Sequence, residues 1–194
     1  MKWKGKVIFF SAFLAVLSFS FASMNSGETQ LEKLHREALV WDCHNDLAYR
    51  VLYEGLDIGQ RLPGGHVDIP RLKEGGVDVQ VVALFIQNYL YPDKAARQAF
   101  QLLEAMKKAI DQNHDSVELA RTGADIERIV TSGKIAIPLA IEGGHAIEDS
   151  LRVLRCFYAL GARYMTLTHA NTNNWADSSG DINDPKVQHH NGLT

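Results

Sequence analysis

The stretch Trp41-Asp-Cys-His-Asn-Asp-Leu-Ala-Tyr-Arg50 sets a histidine and an aspartate two residues apart, directly after the apolar run Ala38–Trp41. Side chains at i and i+2 share a face only where the chain is extended. His44 and Asp46 at a strand end could therefore reach one ion. An imidazole with carboxylates suits zinc or a similar divalent cation at a hydrolytic site. The pair alone also fits plainer roles. Asp46 could cap a helix starting at Leu47, and His44 could be a half-buried histidine bonded to a loop. Glu142 is harder to explain structurally, because it follows seven mostly apolar residues, Ile135–Ile141. A carboxylate buried there is costly without a partner or a metal.

His169 closes another run, Tyr164–Thr168. His145, after Gly143-Gly144, opens a helical region and reads as a capping or supporting group rather than a ligand. His66, His114, His189 and His190 follow no buried strand and read as surface or loop residues. Cys43 neighbours His44, so its side chain faces the other way and packs in the sheet. Cys156 lies in a helical apolar pattern. Both read as buried free thiols, although export would permit a disulfide between them.

These residues need strand ends to hold them. A short helix over Gln30–Glu37 leads into a strand over Ala38–Cys43, and Leu47–Tyr53 reads as a helical turn. Gly55–Gly65 is a loop, and His66–Lys73 starts a helix with Asp68 as its N-cap and Pro70 early inside. Val77–Ile86 is β-branched and nearly continuously apolar, as in a strand buried on both faces. Asp93–Asn113 is a long amphipathic helix with Ala99, Leu103, Met106 and Ile110 on one stripe. Asp125–Thr131 is a shorter helix. Ile135–Ile141 is a strand despite Pro138. A helix over Ile147–Leu160 buries Ile147, Leu151, Leu154 and Tyr158, and Tyr164–Thr168 is the next strand. Residues 170–194 are polar and show no period. This alternation implies parallel strands with helical crossovers. His44–Asp46, Glu142 and His169 then gather at one edge, where α/β barrels and doubly wound sheets place their sites.

The first residues are a targeting signal rather than fold. Lys2, Lys4 and Lys6 precede an apolar run from Val7 to Ala22, with small residues at Ser20, Ala22 and Ser23. That pattern predicts a secretory signal over residues 1–23, cleaved near Ala22–Met24, and a periplasmic or extracellular protein. The apolar run is short of the roughly 20 residues a spanning helix needs, so membrane association would arise only from an uncleaved signal. Loss of the three lysines leaves 17 basic against 23 acidic residues, about −6. Such a surface gives no basis for nucleic acid as a partner. Residues 24–194 can form one domain with a real core. There is no H-E-x-x-H helix, G-x-S-x-G elbow, P-loop or G-x-G-x-x-G, which disfavours thermolysin-like, serine hydrolase and nucleotide-binding functions.

Taken together, Asp42-Cys-His-Asn-Asp-Leu47, His66-Val-Asp-Ile-Pro-Arg-Leu-Lys-Glu-Gly-Gly76, Ile141-Glu-Gly-Gly-His145, Ser150-Leu-Arg-Val-Leu154, Arg163-Tyr-Met-Thr-Leu-Thr-His169, Asn174-Trp-Ala-Asp177 and Asn191-Gly-Leu-Thr194 resemble the membrane (renal-type) dipeptidase family. These are zinc metallopeptidases of the amidohydrolase-like barrel superfamily. The resemblance runs from about residue 34 to the end and implies a (β/α)8 TIM-like barrel, of which this chain covers about the first half. It implies that His44 and Asp46 bind one zinc, that Glu142 bridges two, and that His169 contacts the substrate carbonyl and its developing oxyanion. A metal-bound hydroxide would attack the peptide carbonyl of a dipeptide. The family tolerates a D-residue at the C-terminal position, and some members open β-lactams. A homodimer is compatible with the resemblance.

In the family the second zinc takes two histidines from later strands, and a later aspartate assists proton transfer. Those positions would lie beyond Thr194, so residues 24–194 are expected to be the N-terminal part of the barrel and inactive alone. The alternative is a naturally short, non-catalytic relative that binds metal or a partner through the same strand ends. A barrel amidohydrolase acting on a cyclic amide fits less well, since those usually open with H-x-H rather than H-x-D.

Overall fold

A computed structural model describes residues 29–87 and 93–190. The predicted signal over 1–23 and the closing Asn191–Thr194 motif lie outside these residues. Helix α1 (Gln30–Glu37) is closed by a capping box in which Thr29 and Glu32 satisfy each other's backbone N–H groups. It buries none of its residues, and His35 Nε2 fastens it to the Gly75 carbonyl at 2.7 Å. β1 (Trp41–Asp42), α2 (Leu47–Glu54) and α3 (Ile69–Glu74) follow, then β2 (Val79–Gln80) and β3 (Val82–Phe85). α4 (Ala95–Gln112), β4 (Val117–Leu119), α5 (Gly123–Thr131), β5 (Ile135–Ile137) and β6 (Leu139–Glu142) come next. A 3-10 turn over Gly144–Ile147, α6 (Leu151–Leu160) and β7 (Ala162–Met165) complete the order. Among the described residues no helix is long and apolar enough to cross a membrane.

Among the described residues every strand pairing is parallel, as the alternation predicts. β2 and β3 are two parts of one run, and so are β5 and β6. Pro138 separates the latter pair because it has no N–H to give the ladder. Its carbonyl still accepts from Val82 at 3.0 Å. The run over 135–142 is central. β2 and β3 flank it on one side, while β4 and β7 share the other, β4 along its first half and β7 along its second. β1 continues past its formal end, since Asn45 N–H donates to Val81 O at 3.2 Å and Ala83 N–H donates to Asn45 O at 2.8 Å. That continuation carries His44 and Asp46 to the edge where β6 ends.

The core lies between the sheet and its helices. α4 contributes the predicted stripe Ala99, Leu103, Met106 and Ile110, all buried, and Phe100 stacks on Phe157 of α6 with ring centroids 4.2 Å apart. Asp68 is fully buried at the start of α3 and accepts from Leu62 N–H at 3.0 Å and Arg71 N–H at 2.8 Å. It also pairs with the Arg71 guanidinium. Burial pushes its carboxyl up, but the two backbone donors and Arg71 outweigh that and hold it below the ordinary value of 3.8. Its stabilisation is therefore complete above that value and is lost as pH falls through the lowered one. Asp68→Ala leaves a buried N–H and a half-buried guanidinium without their acceptor. It is expected to cost about 3 kcal/mol in denaturant unfolding at neutral pH, and a loss under about 1 kcal/mol would show the contacts to be incidental.

Several expectations are corrected. β4 leaves no sign in the sequence, because three residues are too few to show a period. The helix expected over Ile147–Leu160 is a 3-10 turn followed by α6, whose start is set by Ser150 accepting from Val153 N–H. Its buried side is also displaced. Phe157 is buried and Val153 and Leu154 are partly so, whereas Leu151 and Tyr158 are more than half exposed. Cys43 and Cys156 are free, as expected, but both are exposed rather than buried. Cys156 lies on the outward side of α6. Cys43 opens into a cleft of about 400 Å³ that it shares with Trp41 and Tyr164. That face of the sheet is left to solvent, so Cys43 is not buried.

Candidate metal centre

His44, Asp46 and Glu142 each bring a ligand atom to one place, all within 4.8 Å of one another. His44 Nε2 lies 3.6 Å from Asp46 Oδ1 and 3.6 Å from Glu142 Oε2. Glu142 is the last residue of β6, held in register opposite Phe85 of β3. The histidine and aspartate side chains are about half exposed, at 48% and 60%, while Glu142 is only 14% exposed. Among the described residues no other group of three such side chains is gathered this way.

The plainer role for Asp46 is not the one it plays. It occupies the N-cap position of α2 but makes no side-chain capping bond. Asn45 does that work, its Oδ1 accepting from Leu47 N–H at 2.9 Å. This is a local turn in which an Asn side chain bonds the backbone two residues on. The Asp46 carboxylate is left free to face His44. The signal for this role in the sequence is an Asn two residues before the first helical residue, Leu47.

Two glycines let the chain leave β6 tightly. Gly143 has φ 106°, and a Cβ there would meet His145 at 2.4 Å. A Cβ on Gly144 would meet Leu167 O and Trp175 at 2.4 Å. Gly143 N–H donates to Thr166 Oγ1 at 2.7 Å, and Gly144 N–H to Leu167 O at 3.1 Å. These bonds tie the end of β6 to the segment that carries His169.

His169 is placed by that segment rather than by the last residue of a strand, since β7 ends at Met165. Its Nε2 lies 3.3 Å from Glu142 Oε1, and its ring meets Phe85 edge-on at 4.9 Å. Buried Ser178 donates to the His169 carbonyl at 2.6 Å and so pins the backbone. His145 turns elsewhere. Its Nε2 lies 3.2 Å from the Ile86 carbonyl, which can only accept, so that nitrogen carries the proton. Burial lowers the pKa of His145 and favours the neutral ring. It thus supports the strand end rather than joining the cluster, as expected. His66 and His114 are exposed, while His189 and His190 are half-buried loop residues. His189 lies 3.8 Å from Asp177, and His190 Nε2 3.1 Å from Asn173 O. That loop folds back on itself, which composition did not reveal.

The surroundings of Glu142 shift its carboxyl upward. Burial raises its pKa above the ordinary 4.5, and the Asp46 carboxylate adds to this, while His44 and His169 pull it back. Its Oε2 is buried and has no hydrogen-bond partner. An acceptor in that condition is expensive, and a divalent cation at the point shared with His44 and Asp46 would satisfy it. One nitrogen and two carboxylates form a hard-to-borderline donor set of the kind that takes zinc. The residues fit a metal.

A cleft of about 540 Å³ opens beside the cluster, lined by His44, Asp46, Tyr49 and Phe85 among others. A family model described as membrane dipeptidase (peptidase family M19) matches residues 28–194. Dipeptidase ataJ of Aspergillus terreus is 33% identical over 153 residues, covering 72% of this chain and 37% of its own length. Dipeptidase tcpJ of Claviceps purpurea is 30% identical over 152 residues, covering 71% and 36%. The chain thus spans well under half the length of these relatives. Among solved structures, the probable dipeptidase PvdM from Pseudomonas aeruginosa superposes with TM-score 0.68 at 22% identity, covering 76% of this chain and 38% of that one. A metallo peptidase from Rhodobacter sphaeroides, liganded with a phosphinate mimic of the dipeptide L-Ala-D-Ala, superposes with TM-score 0.64 at 20% identity, covering 71% and 47%. Motif order, parallel βα topology and the matched model agree: the chain belongs to the membrane dipeptidase family, peptidase family M19, and carries part of its barrel-like fold.

Proposed function

We propose that the protein is an exported zinc-dependent dipeptidase, with His44, Asp46 and Glu142 as metal ligands and His169 as the group that meets the substrate carbonyl. The observation that carries this reading is the buried Oε2 of Glu142, which faces His44 at 3.6 Å and makes no hydrogen bond. Zinc held there would supply Lewis-acid polarisation of a peptide carbonyl and acidify water at neutral pH. The chain's own residues do the rest. Glu142 stands between two imidazoles, with Oε2 toward His44 and Oε1 toward His169. His169, steadied by Ser178 and Phe85, is placed to donate to an oxygen on which charge develops. Family membership supports the dipeptide as substrate and two zinc ions in the complete centre, the second completed by later strands. The basic and apolar opening of residues 1–23 supports export.

The test is metal analysis of the purified full-length protein together with hydrolysis of simple dipeptides. Chelation is expected to abolish turnover, and added zinc to restore it. A protein that hydrolyses dipeptides equally well after the metal is stripped would overturn the proposal.

A further inference from the structure

His44 and Asp46 reach Glu142 only because the first strand carries one residue too many. Side chains at paired positions of a sheet face the same way, and along each strand they alternate. Trp41 stands opposite Val79, Val79 opposite Ala136, and Phe85 opposite Glu142. Val79 and Phe85, like Ala136 and Glu142, are an even number of residues apart. Trp41 therefore faces the same side as Glu142. His44 lies three residues beyond Trp41, an odd step that in a regular strand turns it to the other side. Its Nε2 nevertheless lies 3.6 Å from Glu142 Oε2.

The backbone bonds locate the extra residue. Val81 N–H donates to Asp42 O at 2.9 Å, and Val81 O accepts from Asn45 N–H at 3.2 Å. In a regular parallel pair those two partners are two residues apart, and here they are three. Cys43 and His44 thus share the place opposite Val81 as a β-bulge. Pairing resumes where Ala83 N–H donates to Asn45 O at 2.8 Å, in the register that sets Asp46 on Glu142's side. Bulges beside functional sites re-aim side chains in this way, and they leave backbone groups without a ladder partner. Two side chains take up those groups. The His44 N–H donates to Asp42 Oδ1 at 3.0 Å. The Cys43 carbonyl accepts from the Tyr164 hydroxyl at 2.8 Å. Tyr164 belongs to β7, which does not neighbour β1, so this bond reaches over the strands between. The carbonyl and the N–H belong to one peptide group, the link between Cys43 and His44, and it is held at both ends.

We propose that Asp42 and Tyr164 are positioning residues for His44, holding the Cys43–His44 peptide so that the bulge directs the imidazole at Glu142. The inference rests on the metal-binding reading above for what His44 does once it is placed. Asp42 is not one of the three clustered side chains, and it acts through its hydrogen bond rather than as a ligand.

The test is the zinc affinity of the full-length protein, measured by competition with a chromogenic chelator. Tyr164→Phe keeps the ring and removes the donor, and Asp42→Ala removes the acceptor. Both are expected to bind zinc about 10- to 100-fold more weakly, the range for partners one step removed from a metal. Asp42→Asn keeps an oxygen that bonds the backbone two residues on, and is expected to stay within about threefold. Visible absorption of the cobalt-substituted protein adds a readout that a general loss of stability does not move. Its bands should shift in Tyr164→Phe and Asp42→Ala and be restored in Asp42→Asn. Unchanged affinity and bands in Tyr164→Phe would overturn the proposal. A loss in Asp42→Asn as large as in Asp42→Ala would do so too, since charge would then be what Asp42 supplies. If the unaltered protein binds neither zinc nor cobalt, the metal reading fails, and hydrogen exchange of the Asn45 and Ala83 amides decides the rest. Faster exchange in Tyr164→Phe and Asp42→Ala than in Asp42→Asn would leave the propped bulge standing, and equal exchange in all three would remove it.

Discussion

Glu142→Gln is expected to strip the protein of metal and of dipeptide hydrolysis together, while leaving the metal-free fold at least as stable as before. The substitution keeps the side chain's length and removes its charge. Replacing a metal-ligating carboxylate by a neutral amide should lower metal affinity by more than about 100-fold, since even partners one step removed from a metal cost about 10- to 100-fold. The stability half follows from the burial that raises this carboxyl's pKa. A group whose folded pKa is raised prefers its neutral form in the fold, so removing its charge at neutral pH relieves a penalty. Titration with zinc and thermal melting of the stripped proteins check both halves. Full turnover in the variant would sink the ligand assignment. A large fall in the metal-free melting temperature would mean that Glu142 serves chiefly to hold His44 and His169 in place.

His169→Ala is expected to divide the same two properties. Zinc content should stay unchanged, and kcat should fall by about 100- to 1,000-fold, as when one donor to a developing oxyanion is removed. The backbone there is held by Ser178 through the His169 carbonyl, a bond the substitution leaves intact. Loss of rate is then traceable to the missing imidazole rather than to a displaced loop. Metal analysis beside steady-state kinetics reads both quantities, and simultaneous loss of zinc would make His169 a ligand.

What the sequence discloses here is what depends on local chemistry. Asp68 reads as an N-cap because it precedes Ile-Pro, and it caps α3 as expected. The stripe in α4 reads correctly because eighteen residues give the period room to show. His44, Asp46 and Glu142 are legible because each is a polar residue where an apolar run stops. What depends on neighbours distant in the chain is less legible. The side of α6 that is buried is decided by Phe157 meeting Phe100, a contact across 57 positions. The exposure of Cys43 depends on whether anything covers one face of the sheet. The half-buried place of His189 is not legible either, because a loop without period gives no sign of folding back.

The proposed ligands are divided between two strands of unequal tenacity. Glu142 ends the central run, which has neighbours on both sides. His44 and Asp46 ride on the continuation of β1, which among the described residues is bonded along one side only. A strand with one neighbour opens at lower free-energy cost than one with two, so within this part of the barrel the pair of ligands nearest solvent also frays first. An ion at this point would spend part of its binding energy keeping that strand shut, and its affinity would be scaled by the fraction of molecules in which β1 is closed. Substitutions in the lead into β1 that touch no ligand, at Val40 or Leu39 for instance, would thereby tune metal affinity through the extent of unzipping rather than through coordination.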